Sequence, residues 1–294
     1  MSPPEQPTPT TVASTPTFPP TVPPTPTDTP IPDATLVGAG DIASCSRDGD
    51  EATASLLDNI SGTVFTTGDN VYPDGTAEEF ADCYGPSWGR HVERTRPSPG
   101  NHDYHTAEAA GYFEYFGSMA GEPGEGYYSY DLGAWHIIVL NSNIPVETGS
   151  AQEQWLRTDL ASHLVACTLA YWHHPRFSSG TVHGSDPSMQ PLWQALYDNG
   201  ADVVLAGHEH NYERFAPQDP HGTADPAGGI RQFVVGTGGR SLYPFGAPIA
   251  NSEARNNDTY GVLKLTLHPS SYTWEFIPEA GKTFKDSGDA SCVK

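Results

Sequence analysis

Short apolar runs alternate with amphipathic stretches from residue 34 to the end of this 294-residue chain. Apolar runs of a few residues predict buried strands, and apolar residues three or four apart predict helices. The predicted strands are 35–40, 63–68, 95–100, 127–132, 135–141, 167–174, 202–207, 231–236 and 261–278, with hairpins at 127–141 and 261–278. The predicted helices are 51–60, 152–163 and 191–198. This alternation of strands and helices predicts an α/β domain.

Residues 1–33 differ in composition from the rest of the chain, since they hold 12 Pro and 9 Thr. Such a stretch has almost no apolar surface to offset chain entropy, and its prolines favour an extended conformation. The composition predicts a disordered stalk, followed by one folded domain over residues 34–294. We expect a secreted or cell-surface protein whose export signal has been removed ahead of Met1 and whose stalk tethers it to a cell wall or membrane. An inert leader is the alternative interpretation.

Charge is the next constraint on function. The 36 acidic and 14 basic residues leave a formal net charge of −22, and all four lysines lie after residue 263. A chain this acidic, without a basic tract, is repelled by nucleic-acid backbones, so no nucleic-acid-binding domain is predicted. No apolar run reaches roughly 18 residues, so no transmembrane segment is predicted either.

The four cysteines, Cys45, Cys83, Cys167 and Cys292, lack the C-x-x-C spacing of zinc knuckles and thioredoxin-like sites. Two disulfides are therefore expected in an exported protein, and three pairings are open. We favour Cys45–Cys83 together with Cys167–Cys292, because Cys45 and Cys83 each lie a few residues beyond a strand-end loop.

Five polar clusters carry the candidate chemistry, and each begins at the end of a predicted strand or just beyond it. They are Gly40-Asp41, Gly68-Asp69-Asn70-Val71-Tyr72, Gly100-Asn101-His102-Asp103, His173-His174-Pro175 and Gly207-His208-Glu209-His210. Ligands gather at the carboxyl ends of strands in α/β sheets. Mixed carboxylate, imidazole and amide ligands suit Zn, Fe and Mn. In extended chain, His208 and His210 would point to one face and reach adjacent metals.

The order of these clusters resembles the signature of the calcineurin-like metallophosphoesterases, from residue 35 to about residue 210. The resemblance implies a four-layer αββα sandwich of two mixed β-sheets flanked by helices, with the later strands in the second sheet. Tyr72, three positions after Asp69, resembles the iron-binding tyrosine of purple acid phosphatases, and Tyr212-Glu213-Arg214 is similar to that branch. Ala43 stands where the family usually has Gly or His, two residues after the first Asp of the motifs. The N-terminal β-sandwich of the plant enzymes has no counterpart in this sequence. The resemblance is therefore to bacterial forms with a single catalytic domain.

By this resemblance, the chain holds a dinuclear centre of Fe(3+) and a divalent ion, which is Zn, Fe or Mn. The ferric site would consist of Asp41, Tyr72 and His210, with Asp69 bridging to the divalent site. The ligands of the divalent site would be Asp69, Asn101, His173 and His208. The alternative for Tyr72 is an ordinary aromatic residue that packs on its loop.

His102 and His183 match the non-ligand catalytic histidines of the family, His183 because it lies ten positions after His173. A histidine near its ordinary pKa of about 6.5 is protonated in mild acid and suited to donate a proton to the leaving alkoxide. The alternative for His183 is a plain surface position in a Ser/Gly-rich loop. His174 and Arg176 are interpreted as solvated rim residues, with a phosphate-facing role as the alternative for either. The Gly-rich segment 236–239 lacks the Lys of a nucleotide-binding loop and is interpreted as a tight strand end near the site.

The resemblance implies a secreted phosphatase that hydrolyses phosphomonoesters by attack of a metal-activated hydroxide at mildly acidic pH. Its partner would be a small-molecule phosphate ester. A phosphodiesterase or nucleotide phosphatase with the same centre is the alternative, since the sequence between residues 75 and 97 does not reveal the width of the pocket. A non-catalytic surface module that binds metal or phosphate is a rival from another class. Retention of both His102 and His183 argues against that rival.

Overall fold

The computed structural model describes residues 1–11 and 31–294. The chain divides into two units, Met1–Pro30 and Ile31–Lys294. In the first unit, residues 1–11 are exposed and contain neither helix nor strand. The central part of the predicted stalk lies outside the described residues, so the stalk and its tethering role stay predictions.

The second unit contains all the regular elements of the described residues. Its strands are β1 (Ala34–Ala39), β2 (Ala43–Ser44), β3 (Thr63–Thr67), β4 (Val71–Tyr72), β5 (Thr95–Ser98), β6 (Tyr128–Leu132), β7 (Trp135–Val139), β8 (Cys167–Tyr171), β9 (Val203–Ala206), β10 (Tyr212–Phe215), β11 (Arg231–Val235), β12 (Ser252–Asn256), β13 (Gly261–His268), β14 (Ser271–Pro278) and β15 (Ser287–Ser291). Its α-helices are α1 (Gly49–Leu57), α2 (Ala77–Glu79), α3 (Ala110–Phe116), α4 (Ala151–Ser162) and α5 (Gln190–Asp198). Short 3-10 or π turns lie at Phe80–Tyr84, Trp88–Arg94, Asp103–His105, Ala107–Ala109, Gly117–Ala120 and Pro187–Met189.

The first sheet has the strand order β15-β14-β13-β1-β3-β5. Strands β1, β3 and β5 run parallel, and β13 pairs antiparallel with the free edge of β1, Leu36 opposite Leu265. The prediction that the later strands join the second sheet is therefore wrong for β13 and β14, and β15, which was not predicted, also joins the first sheet. The apolar alternation of β13 fits either sheet, and only the unpaired edge of β1 decides which one it joins.

The second sheet has the order β12-β10-β11-β9-β8-β7-β6, and β7, β8, β9 and β11 run parallel in its middle. Along β7, Ile137 and Val139 contribute to the core between the two sheets, whereas Ile138 lies in a second core on the opposite face. That second core includes Leu156 of α4 and Trp193 of α5. A strand buried on both faces needs a continuous apolar run, which is the pattern that predicted β7.

Helices α4 and α5 thus cover one face of the second sheet, while α1 packs against the first sheet through Ala54 and Leu57. The resulting order of helices, sheet, sheet and helices confirms the predicted four-layer αββα arrangement. Every predicted strand and helix is present to within a few residues. The apolar pattern gave no clear signal for the short strands β2, β4 and β10, the edge strands β12 and β15, or the helices α2 and α3.

The cysteines pair as Cys45–Cys83 and Cys167–Cys292, which confirms the favoured pairing. Strands β2 and β4 form a two-stranded parallel ribbon in which Ser44 lies opposite Tyr72. The Cys45–Cys83 bond begins at the residue after β2, so it ties this ribbon to the turn at Phe80–Tyr84. Among the described helices, none combines the length and apolar character needed to cross a bilayer.

Candidate metal centre

The candidate site forms where the carboxyl ends of the parallel strands of both sheets meet. The Asp41 N–H donates to the Gly68 carbonyl oxygen over 3.1 Å, which joins the loops after β1 and β3. The Gly40 N–H donates to the Val235 carbonyl oxygen over 2.9 Å, which links the two sheets at this edge. All five polar clusters of the sequence therefore lie at one edge of the sandwich.

Three of the predicted ligands have left-handed backbone conformations. The φ values are 60° at Asp41, 49° at Asp69 and 68° at His208, and each of these residues follows a glycine. Such conformations cost about 1–3 kcal/mol each and cluster at functional sites. Gly68 has a φ of 87°, and a Cβ there would lie 2.7 Å from His173 Nδ1. Only glycine therefore allows the Asp69 loop to approach His173 this closely.

A first group of ligand atoms surrounds the Tyr72 hydroxyl. It lies 2.9 Å from Asp41 Oδ1, 2.8 Å from Asp69 Oδ2 and 3.1 Å from His210 Nε2. His210 Nε2 also lies 3.1 Å from Asp41 Oδ1. All four side chains are buried. The structure therefore brings together the whole set that the resemblance implied for the ferric site.

A second group surrounds His173 Nε2. This atom lies 3.0 Å from Asn101 Oδ1, 3.1 Å from His208 Nδ1 and 3.4 Å from Asp69 Oδ2. The same Asp69 oxygen contacts Tyr72 in the first group, so one carboxylate oxygen belongs to both. The structure thus also brings together the set implied for the divalent site, with Asp69 in the shared position.

The H-x-H pair reaches the two groups in a way that the sequence did not predict. His208 is in a left-handed conformation and directs Nδ1 to the second group, whereas His210 directs Nε2 to the first. The expectation that both rings point to one face of an extended chain is therefore wrong. The chain turns sharply at His208, so the two imidazoles serve different groups through different nitrogens.

Neighbouring acceptors orient two of the imidazoles. His173 Nδ1 lies 2.8 Å from the Thr67 carbonyl oxygen, so this nitrogen carries the proton and Nε2 faces the centre. His210 Nδ1 lies 2.7 Å from Ser241 Oγ, and the Tyr243 ring stacks on the His210 ring with centroids 3.9 Å apart. Hydrogen bonds of this kind set the tautomer and the direction of a metal-binding imidazole.

The pKa shifts describe the protonation of these ligand side chains in the absence of a cation. Burial, followed by Asp41 and Asp69, raises the pKa of the Tyr72 hydroxyl well above its usual range. Burial also opposes the charge of Asp69, but His173 and His102 outweigh it and hold the Asp69 pKa below its ordinary value. Asp69 likewise overcomes burial at His173 and raises its pKa to about 9. Burial, then His173, lowers the pKa of His208.

These protons occupy the positions that metal ions would take. The Tyr72 hydroxyl proton and the second ring proton of His173, on Nε2, both lie among buried acceptor atoms, and bound cations would displace them. The first group offers three oxygens and one nitrogen, of which a phenolate and two carboxylates suit a hard trivalent ion. The second group offers two oxygens and two imidazole nitrogens, a set that suits Zn, Fe(2+) or Mn. The residues present therefore fit a dinuclear centre.

His102 borders the first group. Its backbone N–H donates to Asp69 Oδ1 over 2.7 Å, and its ring lies 4.3 Å from the Tyr72 ring between centroids. Its Nδ1 lies 2.6 Å from the Pro73 carbonyl oxygen, which assigns the proton to that nitrogen. Nε2 then lies 4.0 Å from Asp69 Oδ2, at the edge of the centre and partly open to solvent.

His183 borders the second group from the other side. Its exposed ring lies against the His208 ring at a tilt of 31°, with centroids 3.9 Å apart, beside a cavity of about 390 Å³. Partial burial lowers the pKa of His183, and Glu209 opposes this only in part. The pKa of this residue therefore lies below the ordinary value expected from the sequence.

Glu209, the central residue of the H-x-H pair, fixes the loop that carries His183. Its buried Oε1 accepts the backbone N–H groups of His183 and Gly184, each over 2.6 Å. Gly180 packs directly against the same carboxylate, where a Cβ would overlap it. The sequence analysis missed this role, because nothing in the motif indicates which loop the intervening residue contacts.

His174 lies in the site and not on a solvated rim. Its ring lies 4.3 Å from the His208 ring and 5.0 Å from the His173 ring between centroids, and its Nδ1 lies 2.7 Å from Ser142 Oγ. Burial, followed by His173, lowers the pKa of His174 to about 4. The ring is therefore neutral in mild acid and packs against the ligand imidazoles.

Asp103, the last residue of the third cluster, locks two ligand loops together. Its buried carboxylate accepts the Asn70 N–H over 3.2 Å, the Asn70 side-chain amide over 2.9 Å and the Gly100 N–H over 2.8 Å. Burial and Asp69 raise its pKa to about 7. Its place in the motif was visible in the sequence, but its partner Asn70 comes from a loop 33 residues away.

The family model for calcineurin-like phosphoesterases matches residues 34–212. Among curated relatives, purple acid phosphatase 15 of Arabidopsis thaliana is 28% identical over 64% of this chain and 42% of its own length. Purple acid phosphatase 23 of the same plant is 30% identical over 65% of this chain and 45% of its own length. The chain thus spans less than half the length of these relatives. Other matching purple acid phosphatases carry names that call them inactive.

Solved structures share the fold at low sequence identity. Purple acid phosphatase PPD1 from yellow lupin (Lupinus luteus) seeds superposes with a TM-score of 0.73 at 19% identity, covering 88% of this chain and 54% of its own. GAP50, the anchor in the inner membrane complex of Plasmodium, superposes with a TM-score of 0.67 at 15% identity, covering 89% and 90%. The family match, the sequence relatives and the shared fold agree with the ordered clusters. This chain belongs to the calcineurin-like phosphoesterase family, within its purple acid phosphatase-like branch.

Proposed function

We propose that the protein is a secreted dinuclear-metal phosphatase that hydrolyses phosphomonoesters in mild acid. Asp41, Tyr72 and His210 would hold Fe(3+), and Asp69 would bridge to the divalent ion. The remaining ligands of the divalent ion would be Asn101, His173 and His208. When bound, such a metal pair supplies Lewis acidity and a water nucleophile of lowered pKa.

The observation that carries the proposal is the position of Asp69 Oδ2. This oxygen lies 2.8 Å from the Tyr72 hydroxyl and 3.4 Å from His173 Nε2, so one atom connects the two ligand groups. A single structural ion would not need a shared oxygen between two complete sets. The shared oxygen therefore supports two metals at the short separation that phosphoryl transfer uses.

The two histidines outside the ligand groups would transfer the proton to the leaving group. His102 Nε2 lies 4.0 Å from Asp69 Oδ2, near enough to hydrogen-bond a phosphate oxygen or the leaving oxygen. His183 lines the 390 Å³ cavity together with His174 and Asp186, and this cavity would receive the leaving group. We assign His102 as the principal proton donor, because its Nε2 lies within 4.0 Å of the oxygen that the two ligand groups share.

The test is hydrolysis of a chromogenic phosphomonoester between pH 4.5 and 7.5, with elemental metal analysis of each preparation. Asp69→Asn removes the bridging charge, and we expect activity to fall by at least about 100-fold. This loss corresponds to about 2.7 kcal/mol of transition-state stabilisation. The matched control is Asp198→Asn, the same change at an exposed side chain outside the site. Full activity in Asp69→Asn protein would contradict the proposal.

The alternatives are tested with the same preparations. A bis-substituted phosphate and a nucleotide, assayed beside the monoester, measure the preference for monoesters. Tight binding of inorganic phosphate with two metals per chain, but without turnover of any ester, would favour the non-catalytic module instead.

Export is proposed separately from catalysis. The two disulfides support it, because disulfides persist in oxidising compartments and are rare in the cytosol. We expect no reactive thiol under denaturing, non-reducing conditions when the protein is isolated from its native source. Four free thiols in that preparation would contradict export.

A further inference from the structure

Most arginines of this acidic chain are already engaged. Of the ten arginines, eight donate side-chain hydrogen bonds to carboxylates, carbonyl oxygens or, for Arg96, also a sulfur; Arg157, for example, pairs with Glu153 and Asp198. Among the described residues, Arg47 and Arg240 make no hydrogen bond or ion pair through their side chains. An unpaired guanidinium in a chain of charge −22 needs an explanation, because acidic partners are plentiful.

Arg240 lies at the metal centre. It directly follows the Gly-rich segment 236–239 that comes after β11, and its backbone N–H donates to the Asp41 carbonyl oxygen over 3.0 Å. Its guanidinium carbon lies 5.0 Å from the centroid of the Tyr72 ring. The next residue, Ser241, holds His210 through its Oγ. Arg240 therefore borders the first ligand group, on the segment that orients one of its ligands.

The state of this guanidinium is consistent with a missing anionic partner. The side chain is only partly exposed, and its Nε is buried without a hydrogen-bond acceptor among the described residues. A buried, unsatisfied donor of this kind is unfavourable unless a partner completes it.

We propose that Arg240 binds a peripheral oxygen of the substrate phosphate and thereby selects dianionic phosphomonoesters over phosphodiesters. The inference rests on the proposed function for the reaction, but its binding part does not require turnover. A guanidinium donates two parallel N–H groups to phosphate oxygens, and those bonds are stronger to a doubly charged group. A phosphodiester carries one negative charge and one fewer free oxygen, so it gains less from the same residue.

The selection should depend on pH. A phosphomonoester loses its second proton with a pKa near 6, so it is mostly singly charged at pH 5 and doubly charged at pH 7. A phosphodiester keeps one charge throughout this range. We therefore expect the contribution of Arg240 to the monoester reaction to be greater at pH 7 than at pH 5.

The experiment compares wild type with Arg240→Gln, Arg240→Lys and the control Arg157→Gln, after elemental analysis has shown equal metal content. Calorimetric titration with inorganic phosphate at pH 7 measures Kd. We expect Arg240→Gln to weaken binding about 10- to 100-fold, the loss typical of a hydrogen bond to a charged group. Arg240→Lys, which keeps the charge but loses the fork, should be intermediate. Arg157→Gln removes an arginine that is already paired and should bind phosphate like wild type.

Steady-state kinetics then test whether Arg240 selects phosphomonoesters over phosphodiesters. In Arg240→Gln protein we expect kcat/KM for the monoester at pH 7 to fall with the phosphate affinity, and kcat/KM for the diester to fall less than about fivefold, as expected for a weaker bond. Equal losses for the two esters would overturn selection. An unchanged phosphate Kd together with a shifted visible absorption band would overturn substrate binding by Arg240. It would show instead that Arg240 acts on the Tyr72 ring that it contacts.

The two proposals can fail separately. If Arg240→Gln weakens phosphate binding but the wild type hydrolyses no ester, the binding site is supported and the phosphatase proposal is contradicted. If the wild type is a strong phosphatase but Arg240→Gln leaves phosphate binding unchanged, the phosphatase proposal is supported and the binding site is contradicted. Should Arg240→Gln protein lose metal, Arg240→Lys carries the same comparison, and wild-type affinity in that variant would contradict a bidentate contact.

Discussion

The Tyr72 hydroxyl contacts three other proposed ligands, Asp41, Asp69 and His210, at distances of 2.8–3.1 Å. Its ring is held independently of the hydroxyl, by contact with the His102 ring and the Arg240 guanidinium. Loss of the oxygen alone should therefore leave the ring in place. The hydroxyl can be tested without disturbing the fold.

We predict that Tyr72→Phe abolishes any visible charge-transfer band and weakens iron binding, while the melting temperature of the metal-free protein changes little. The reason is that a phenyl ring offers no ligand oxygen for Fe(3+). Absorption spectroscopy with elemental analysis measures both effects. Tyr84→Phe is the control, since the Tyr84 hydroxyl is also buried but has no hydrogen-bond partner among the described residues. A variant at Tyr72 that stays purple would disprove the ligand assignment.

A second prediction at this scale concerns Glu209, which we infer is a positioning residue for His183. Glu209→Ala leaves the N–H groups of His183 and Gly184 without their acceptor, so the loop should loosen and kcat should fall about 10- to 100-fold. Glu209→Gln keeps an acceptor oxygen and should recover most of the activity.

A double-mutant cycle separates positioning from general damage. If Glu209 acts through His183, the variant that combines Glu209→Ala with His183→Ala should be no slower than His183→Ala alone. Additive losses in kcat would show that Glu209 acts independently of His183. Circular dichroism and metal content of all three variants would confirm that they are otherwise comparable.

At the scale of elements, His136 joins β7 to helix α4. Its buried ring lies between two carboxylates, 2.7 Å from Asp159 Oδ2 and 3.0 Å from Asp131 Oδ1. The His163 ring stacks on it with centroids 4.0 Å apart. Burial opposes the charge, but Asp159 and Asp131 outweigh burial, so the pKa of His136 is raised. His136 pulls the Asp159 pKa down in the same way, against the opposing effect of burial.

The sign of the pH dependence follows from these two shifts. A raised histidine pKa stabilises the fold fully below the unfolded value of about 6.5, and this contribution is lost as pH rises through the higher folded value. A lowered aspartate pKa stabilises the fold above the unfolded value of about 3.9, and this contribution is lost in stronger acid. The contact should therefore contribute most between about pH 4 and pH 6.5.

We predict that His136→Gln lowers the free energy of unfolding by about 1–3 kcal/mol at pH 5.5, the range for hydrogen bonds to charged groups. The loss should be smaller at pH 9, because wild-type His136 is then closer to neutral. Urea unfolding of both proteins at each pH measures the difference, and effects of metal common to both cancel. Asp159→Asn should cost more than Asp131→Asn, since the Asp159 side chain is 9% exposed and that of Asp131 is 68% exposed. An equal loss at both pH values would contradict the charged state.

At the scale of the whole molecule, the two sheets meet at a cluster of buried acidic groups. Asp41 and Asp69 come from loops of the first sheet, Tyr72 comes from the ribbon strand β4 that follows β3, and His173 and His210 come from loops of the second sheet. In the absence of cations, His173 is the raised-pKa group that offsets the Asp69 charge. Bound metals would therefore connect the two halves of the sandwich as well as perform chemistry.

We predict that removal of metal by a chelator lowers the melting temperature on the order of 10 °C, since a ligand at about 1,000 times its Kd stabilises by roughly 4 kcal/mol. Restoring the metal should restore the melting temperature. Differential scanning calorimetry measures the shift at a fixed pH near 6. Asp69→Asn protein should show a smaller shift, because it binds metal weakly in either condition. An unchanged melting temperature after verified metal removal would show that the centre does not join the sheets.

The sequence by itself predicted the longer strands, the α/β class and the set of proposed ligands. Apolar runs buried on both faces mark β7, β8 and β9, and the polar residues after them are close in sequence to the strand that positions them. The order of the clusters then indicated the family. These features are local, since each depends on a strand and the few residues that follow it.

Tertiary structure alone decided the features that depend on distant partners. Strand β13 joins the first sheet because β1 has a free edge, Glu209 contacts a loop about 25 residues before it, and Arg240 reaches Tyr72 from the far end of β11. His174 looks like a rim residue in sequence and is a packed one in space. The physical reason is that side-chain surroundings come from long-range packing, which a local pattern of apolar and polar residues does not encode.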